Sequence, residues 1–193
     1  MASKPLILGF DTSAAHCAAA LVSGDEVLAS RAVEMSRGQA ENLMPLIEDL
    51  LNSQGVTFRD LTAIGVGVGP GNFTGIRISV SAARGLALGL GIPAVGVSSF
   101  DASLLGTEPD TVAFVNAPRE QVYVQDGETP AFLTRHPYET SKPSVTVPAP
   151  DLLAENIAHI AAQRFENTNT APAPLYIRAA DAAPARDLPP PLI

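Results

Sequence analysis

Two short stretches carry side chains and backbone groups of the kind that hold phosphate or metal ions. The first is Asp11-Thr12-Ser13, a carboxylate followed by two hydroxyls at the end of an apolar run. Such a set can hold a metal-bound phosphate, but the same residue types form the Asx and Ser/Thr turns that close hairpins. The three residues alone favour the turn and leave the phosphate site open.

The second stretch is a glycine-rich turn, Gly69-Pro-Gly-Asn-Phe-Thr-Gly75. Its three glycines predict a tight turn, after which Asn72 or Thr74 can cap a helix. A helix that begins at the carboxyl end of a strand is where α/β proteins keep their ligand crevices. The stretch lacks the Gly-Lys-Ser/Thr of a P-loop and the spacing of a dinucleotide fingerprint. It therefore predicts a strand-turn-helix unit and is only a weak indication of nucleotide binding.

The histidines and the cysteine form no recognisable metal or nucleophile motif. His16, His136 and His159 are not paired at the helical spacing of metal ligands. His16 and Cys17 are adjacent, so in a strand they point to opposite faces, and a buried structural Cys17 is expected. His159 is expected on a solvated helix face. No nucleophile-and-base pair is predicted.

The predicted elements that must position these residues follow the order β-β-β-α-β-α-β. They are Leu6–Thr12, Ala18–Val22, Val27–Val33, Gln39–Gln54, Ala63–Val68, Thr74–Gly91 and Ala94–Val97. Weaker signals follow: a helix at Ser99–Leu105, strands at Thr111–Val115, Gln121–Gln125 and Val145–Val147, a helix at Asp151–Phe165 capped by Asp151, and an extended Pro/Ala-rich tail over 166–193. Two α/β lobes are predicted, 1–99 and a shorter 100–193.

Composition narrows the classes of function. The 193 residues carry a net charge of −8 with scattered basic side chains, which argues against a chain that grips nucleic acid by itself. A single cysteine excludes an internal disulfide and fits a reducing compartment. No signal peptide is predicted, because the apolar run after Lys4 is too short and lacks a cleavage site. No membrane span is predicted, because Arg77, Arg84 and Pro93 interrupt the most apolar region.

Two predicted helices are more apolar than one buried face requires. The apolar residues of Gln39–Gln54 cover an arc of about 160°, against about 100° for a single buried stripe. In Thr74–Gly91 the polar line is narrow, and it consists of Arg77, Ser81 and Arg84. A second face is therefore covered either by the second lobe or by a partner chain, and the pattern favours neither.

Five stretches together resemble the TsaB (YeaZ) family: 8–13, 69–78, 83–89, 92–99 and 174–178. The resemblance implies an actin/Hsp70/sugar-kinase-like fold with two related lobes, the second shortened. It implies a cytoplasmic, non-catalytic subunit of the bacterial complex that adds threonylcarbamoyl to adenosine beside the tRNA anticodon. The implied partners are the catalytic paralogue TsaD, the ATPase TsaE and a second copy of the chain, with tRNA reached only through the complex and no membrane contact.

The resemblance also implies where the sites lie. The partner interface would fall on the first two helices, at Met44, Ile47, Leu51, Ile76, Arg77, Val80, Ser81 and Arg84. A vestigial nucleotide cleft, with at best weak ATP or ADP binding, would involve Asp11, Thr12, Ser13, Gly69, Gly71 and Asn116. Gln39 and Leu43 stand where TsaD has its metal-binding histidines, and Asn116 stands where the family often has Asp. No catalytic residue, metal or obligatory cofactor is therefore expected.

Two enzyme alternatives stay open at this point. An ATPase or phosphotransferase would use Asp11 and the Gly69–Gly75 turn, as other members of the fold do. A glycoprotease-like metallopeptidase is weaker, because the chain offers too few metal ligands. The acidic charge favours the interaction subunit, since tRNA contact would then fall chiefly to the partners.

Overall fold

The computed structural model describes residues 4–177, and residues 1–3 and 178–193 lie outside it. The first lobe is built on a five-stranded sheet in the order β3-β2-β1-β4-β5. Its elements are β1 (Leu6–Asp11), β2 (His16–Ser23), β3 (Glu26–Glu34), α1 (Gln39–Ser53), a 3-10 turn (Phe58–Asp60), β4 (Ala63–Gly67), α2 (Phe73–Leu90) and β5 (Ala94–Val97). The predicted element order is confirmed.

The central strand β1 sets the layers of this lobe. It pairs antiparallel with β2 and parallel with β4. Because its side chains alternate, Leu8 and Phe10 face a core shared with α1 and α2, while Ile7 faces the opposite core. The sheet is therefore covered on both faces, as its continuous apolar strands require.

The second lobe repeats the first in reduced form. After α3 (Ser99–Leu104) come β6 (Val112–Ala117), β7 (Gln121–Gln125), β8 (Phe132–Arg135), β9 (Ser144–Thr146), α4 (Pro150–Arg164) and a 3-10 turn (Phe165–Asn167). Its sheet order β8-β7-β6-β9 matches β3-β2-β1-β4, with the same antiparallel and parallel pairs. At the position equivalent to α1, between β8 and β9, the second lobe has residues 136–143, which form no helix. These features confirm an α/β fold of two related lobes with the second shortened.

Three details of the second half differ from expectation. Strand β8 was not predicted, because it is only four residues long and half-buried, so it lacks an apolar run. Asp151 does not cap α4; the helix starts after Ala149 with no side-chain cap bond, and Asp151 lies in its first turn. Helix α4 packs on the first sheet, against β1, β2 and β4, and not on the sheet of its own half.

The division of the chain at residues 99 and 100 stays a prediction. The part of the predicted tail at 168–177 contains no regular helix or strand, and the rest of the tail lies outside the described residues. Among the helices of residues 4–177, none combines the length and the apolar character needed to cross a membrane.

Candidate functional site

Asp11 is held by its own hairpin and faces away from solvent. It is fully buried, and its Oδ2 accepts hydrogen bonds from the Ser13 backbone N–H (2.8 Å) and the Ser13 hydroxyl (2.9 Å). The His16 Nε2 lies 2.8 Å from the same oxygen. The Asp11 carboxylate thus stabilises the turn, as expected for an Asx turn. Its Oδ2 makes all three of these contacts.

The space above the glycine-rich turn is taken by the protein's own backbone. A Cβ at Gly75 would overlap the Thr12 carbonyl oxygen, and a Cβ at Gly71 would overlap that of Ser13. The Thr12 hydroxyl donates to the Gly75 carbonyl oxygen at 2.7 Å, and the Asn72 N–H donates to the Ser13 carbonyl oxygen at 2.6 Å. A phosphate at the turn would have to displace these hydrogen bonds. The glycines therefore allow the backbone of residues 12 and 13 to lie close to the turn.

Asn72 caps α2, because its Oδ1 accepts from the Gly75 N–H at 2.9 Å. This cap holds the start of the helix against the β1 hairpin. The turn therefore fixes the direction in which α2 leaves the sheet.

A cleft of about 530 Å³ lies between the two lobes. Of the six predicted cleft residues, Ser13, Gly71 and Asn116 line it, whereas Asp11, Thr12 and Gly69 do not. Its walls include Pro70, Pro118 and other apolar groups, together with Gln39.

The cleft is poor in ionisable groups. Among the lining residues that the structure describes, His16 is the only one with an ionisable side chain. Within residues 4–177, no group of three His, Cys, Asp or Glu side chains is placed to hold a metal ion. Gln39 donates to the carbonyl oxygens of Ala14 and Met35, and Leu43 lies in the core with 1% of its surface exposed. The described residues of this site can form hydrogen bonds, but they include no cluster of charged groups that could hold Mg-nucleotide.

The contact between Asp11 and His16 was not predicted from the sequence. His16 was considered as a metal ligand and beside Cys17, but not as a partner of Asp11, which lies five residues before it. A hairpin closed by residues 12–15 brings the end of β1 beside the start of β2, so this spacing is the signal that could have found the pair.

Cys17 is confirmed as a buried structural residue. It is fully buried, and burial, followed by the negative charge of Asp11, raises the pKa of its thiol from 9.0 to about 11. At neutral pH the thiol is protonated, so it lacks the thiolate that nucleophilic catalysis requires.

The predicted partner interface divides into two groups. The structure buries four of its eight residues in the first-lobe core, each at most 3% exposed: Ile47, Leu51, Ile76 and Val80. In the isolated chain their apolar surface packs in this core, and their assignment to a partner interface stays a prediction. Arg77, Ser81 and Arg84 are exposed and Met44 is half-buried.

The outer face of α2 presents a groove that the prediction did not identify. The α2 groove, of about 610 Å³, is lined on one side by Arg84, Gly85, Leu88 and Ile92 and on the other by residues 168–172. Leu88 is 87% exposed. A Cβ at Gly85 or Gly89 would meet nothing within 4 Å, so another chain can approach the helix closely there.

The segment at 174–177 closes over the first turns of α2. Tyr176 stacks on Phe73 with ring centroids 5.1 Å apart, and its hydroxyl accepts from Arg77 Nε at 2.9 Å. The guanidinium carbon of Arg77 lies 3.9 Å from the Phe73 ring centroid. The described part of the 174–178 motif thus packs on the helix that carries the groove.

Part of the chain matches the sequence model of a known family. Residues 31–136, which are 106 of the 193, match the model described as TsaD: tRNA N6-adenosine threonylcarbamoyltransferase.

Individual relatives match over shorter shares. The tRNA threonylcarbamoyladenosine biosynthesis protein TsaB of Escherichia coli K12 is 38% identical over 93 residues, which are 48% of this chain and 40% of the relative. The protein of the same name from Haemophilus influenzae is 29% identical over 61% of this chain and 51% of its own length. An uncharacterized protein of Mycobacterium tuberculosis is 34% identical over 61% of this chain and 56% of its own length. The chain therefore spans about half the length of the curated relatives it matches.

Solved structures share the fold over most of the chain. YeaZ from Pseudomonas aeruginosa superposes with a TM-score of 0.71 over 89% of this chain and 99% of its own, at 23% identity. A second Pseudomonas aeruginosa structure, described as similar to peptidase YEAZ, gives the same score over 90% of this chain. At this level of identity the likeness establishes the fold.

Proposed function

This chain belongs to the TsaD (tRNA N6-adenosine threonylcarbamoyltransferase) family, in its TsaB (YeaZ) branch, and we propose that it is a non-catalytic interaction subunit in tRNA threonylcarbamoyladenosine biosynthesis. The observation that supports a non-catalytic role is that Asp11 is occupied by contacts within the protein. Its carboxylate is buried and bonded to Ser13 and His16, and the glycine turn beside it is filled by residues 12 and 13.

The proposed partner is a TsaD-type protein, bound at the outer face of α2. Three features support this face: the 87% exposed Leu88, the open sides of Gly85 and Gly89, and the α2 groove. Large exposed apolar groups beside a concave surface are typical of protein interfaces. In isolation the same face would pair two copies of the chain, and a TsaE-type ATPase would join only the assembled complex.

We propose that the partners bind the tRNA and that this protein acts in the cytoplasm. The net charge of −8 is unfavourable for contact with phosphates. Within the described residues, two of the basic side chains, Lys142 and Arg164, are paired with Asp126 and Asp101.

Reconstituted tRNA modification tests the proposed function. A TsaD-type protein and a TsaE-type ATPase from the same organism, supplied with threonylcarbamoyl-adenylate and unmodified tRNA, should modify the adenosine only when this chain is added. The chain alone should give no product. Full modification without the chain, or modification by the chain alone, would contradict the proposal; nucleoside mass spectrometry distinguishes these results.

Mg-ATP binding tests the enzyme alternative. We expect a dissociation constant no tighter than about 1 mM for the isolated chain, because polyphosphate sites need a metal or clustered basic groups, and the described residues of this cleft offer neither. Isothermal titration calorimetry measures it. Micromolar binding that is lost in Asp11→Ala would support an ATPase or phosphotransferase instead.

A further inference from the structure

We propose that two copies of this chain associate with α1 of each copy facing α2 of the other, and that matched Glu–Arg ion pairs select this arrangement. The arrangement rests on the proposed function, which places an interface on the outer face of α2. Four charged residues of the two helices determine it: Glu41, Glu48, Arg77 and Arg84.

The outer face of α2 is positively charged in an acidic protein. Residues 61–100 contain no Asp or Glu, although the chain has 20 acidic residues, and their only charged side chains are Arg77 and Arg84. Both arginines are exposed, and neither forms an ion pair in the part of the chain that the structure describes. Arg77 is also fixed in place, because it stacks on Phe73 and donates from Nε to Tyr176. A surface with carboxylates would neutralise both charges, and little side-chain freedom would be lost at Arg77.

A furrow beside the two arginines gives a second helix a place to lie. It has a volume of about 440 Å³ and is lined by Arg77, Val80, Ser81, Arg84 and Pro174. At Arg84 it continues into the α2 groove, so the concave surface follows most of the helix. The arginines are seven residues apart, which places them on nearly the same side of α2 at a separation of about 10 Å. A helix with two carboxylates at the same spacing would match them.

Helix α1 of this chain has carboxylates at that spacing. Glu41 and Glu48 are also seven residues apart, and both are exposed. They lie on the side of α1 opposite its buried residues, such as Leu43 and Leu50. Among the described residues, neither glutamate forms an ion pair. The outer face of α1 therefore has the charge pattern that complements the outer face of α2.

The direction of the two helices allows both contacts to form at once. Strands β3 and β4 run in the same direction as β1, so α1 and α2 start at the same edge of the sheet, and they cover the same face. Glu41 is the third residue of α1 and Arg77 is the fifth of α2, so they differ by about 3 Å in level along the helices. A two-fold axis along the helices exchanges α1 and α2 between the copies. It places each glutamate opposite an arginine of the other copy.

Charge reversal at Glu48 and Arg84 tests this arrangement, because Arg77 can stay in its contacts with the 174–177 segment. Glu48→Lys and Arg84→Glu should each weaken self-association about tenfold, since each change makes two attractive pairs repulsive. An equimolar mixture of the two variants should associate to within about threefold of the wild type, because the reversed charges then face each other. Sedimentation velocity at a series of concentrations gives the dissociation constants.

The matched control is Glu128→Lys, which makes the same charge change at an exposed residue between β7 and β8. It should leave self-association unchanged. All three substitutions change exposed side chains, so urea unfolding of each variant should follow that of the wild type. Self-association of the wild type should weaken when NaCl is raised from about 0.05 M to about 1 M, because salt screens exposed ion pairs.

Several results would overturn the proposal. They are a wild-type chain that stays monomeric up to about 1 mM, variants that associate like the wild type, and a mixture of variants that stays separate. If the two reversals weakened binding of a TsaD-type protein but not self-association, the face would serve that partner alone, and the proposal would be wrong. Self-association is measured without other proteins, so a failure here leaves the tRNA modification result unaffected.

Discussion

Gly75→Ala is expected to destabilise the fold by about 3 kcal/mol, the upper part of the range for overpacking a well-packed site. The added methyl group would overlap the Thr12 carbonyl oxygen, which is backbone and cannot rotate away. The change would also strain the cap bond from the Gly75 N–H to Asn72 and the bond from the Thr12 hydroxyl to the Gly75 carbonyl. Urea unfolding followed by circular dichroism measures the free energy of unfolding.

Gly85→Ala is the matched control, ten residues along the same helix. Its Cβ position is open and its backbone is helical, so the substitution should stabilise the chain by about 0.5–1 kcal/mol. If Gly75→Ala were as stable as the wild type, the close contact between the β1 hairpin and the glycine-rich turn would not exist. The turn would then have room for a phosphate, and a nucleotide site beside Asp11 would be favoured.

Leu88→Glu is expected to weaken binding of a TsaD-type partner about 100-fold without disturbing the fold. The few central residues that dominate an interface contribute about 2 kcal/mol or more, and we expect Leu88 to be one of them; a buried unpaired charge adds a further penalty. Because Leu88 is 87% exposed in the isolated chain, its replacement should change the free energy of unfolding by no more than about 0.5 kcal/mol. Sedimentation velocity at a series of concentrations gives the dissociation constant.

The control for this variant is Leu152→Glu, which introduces the same charge at an exposed leucine of α4. It should leave partner binding unchanged. Equal binding by Leu88→Glu and the wild type would exclude the outer face of α2 as the contact. Val80→Glu would not answer the question, because Val80 is 3% exposed and a charge there would disrupt the core.

Sequence patterns predicted the first lobe well because its signals are local. Buried strands such as β1 and β4 are short apolar runs bounded by turn residues, and α1 and α2 have helical periodicity. Residue type limited the cap of α2 to Asn72 or Thr74, and the structure shows that it is Asn72.

The remaining features depend on contacts between residues distant in sequence. The width of an apolar arc does not reveal which part of a helix faces the sheet. Only the structure shows that Ile76 and Val80 lie in the core and that Leu88 is exposed. Nothing in 150–164 indicates that this helix returns to the first sheet. The role of Gly75 depends on Thr12, which lies 63 residues away, and a glycine in a turn has the same pattern whether its space holds phosphate or backbone.

The most direct test of the interaction-subunit account is sedimentation velocity of the wild-type chain mixed with an equimolar TsaD-type protein from the same organism. We expect the two separate species to be replaced by one species with the mass of a 1:1 complex. With Leu88→Glu, the two separate species should return. Two components that sediment independently at micromolar concentrations would contradict it.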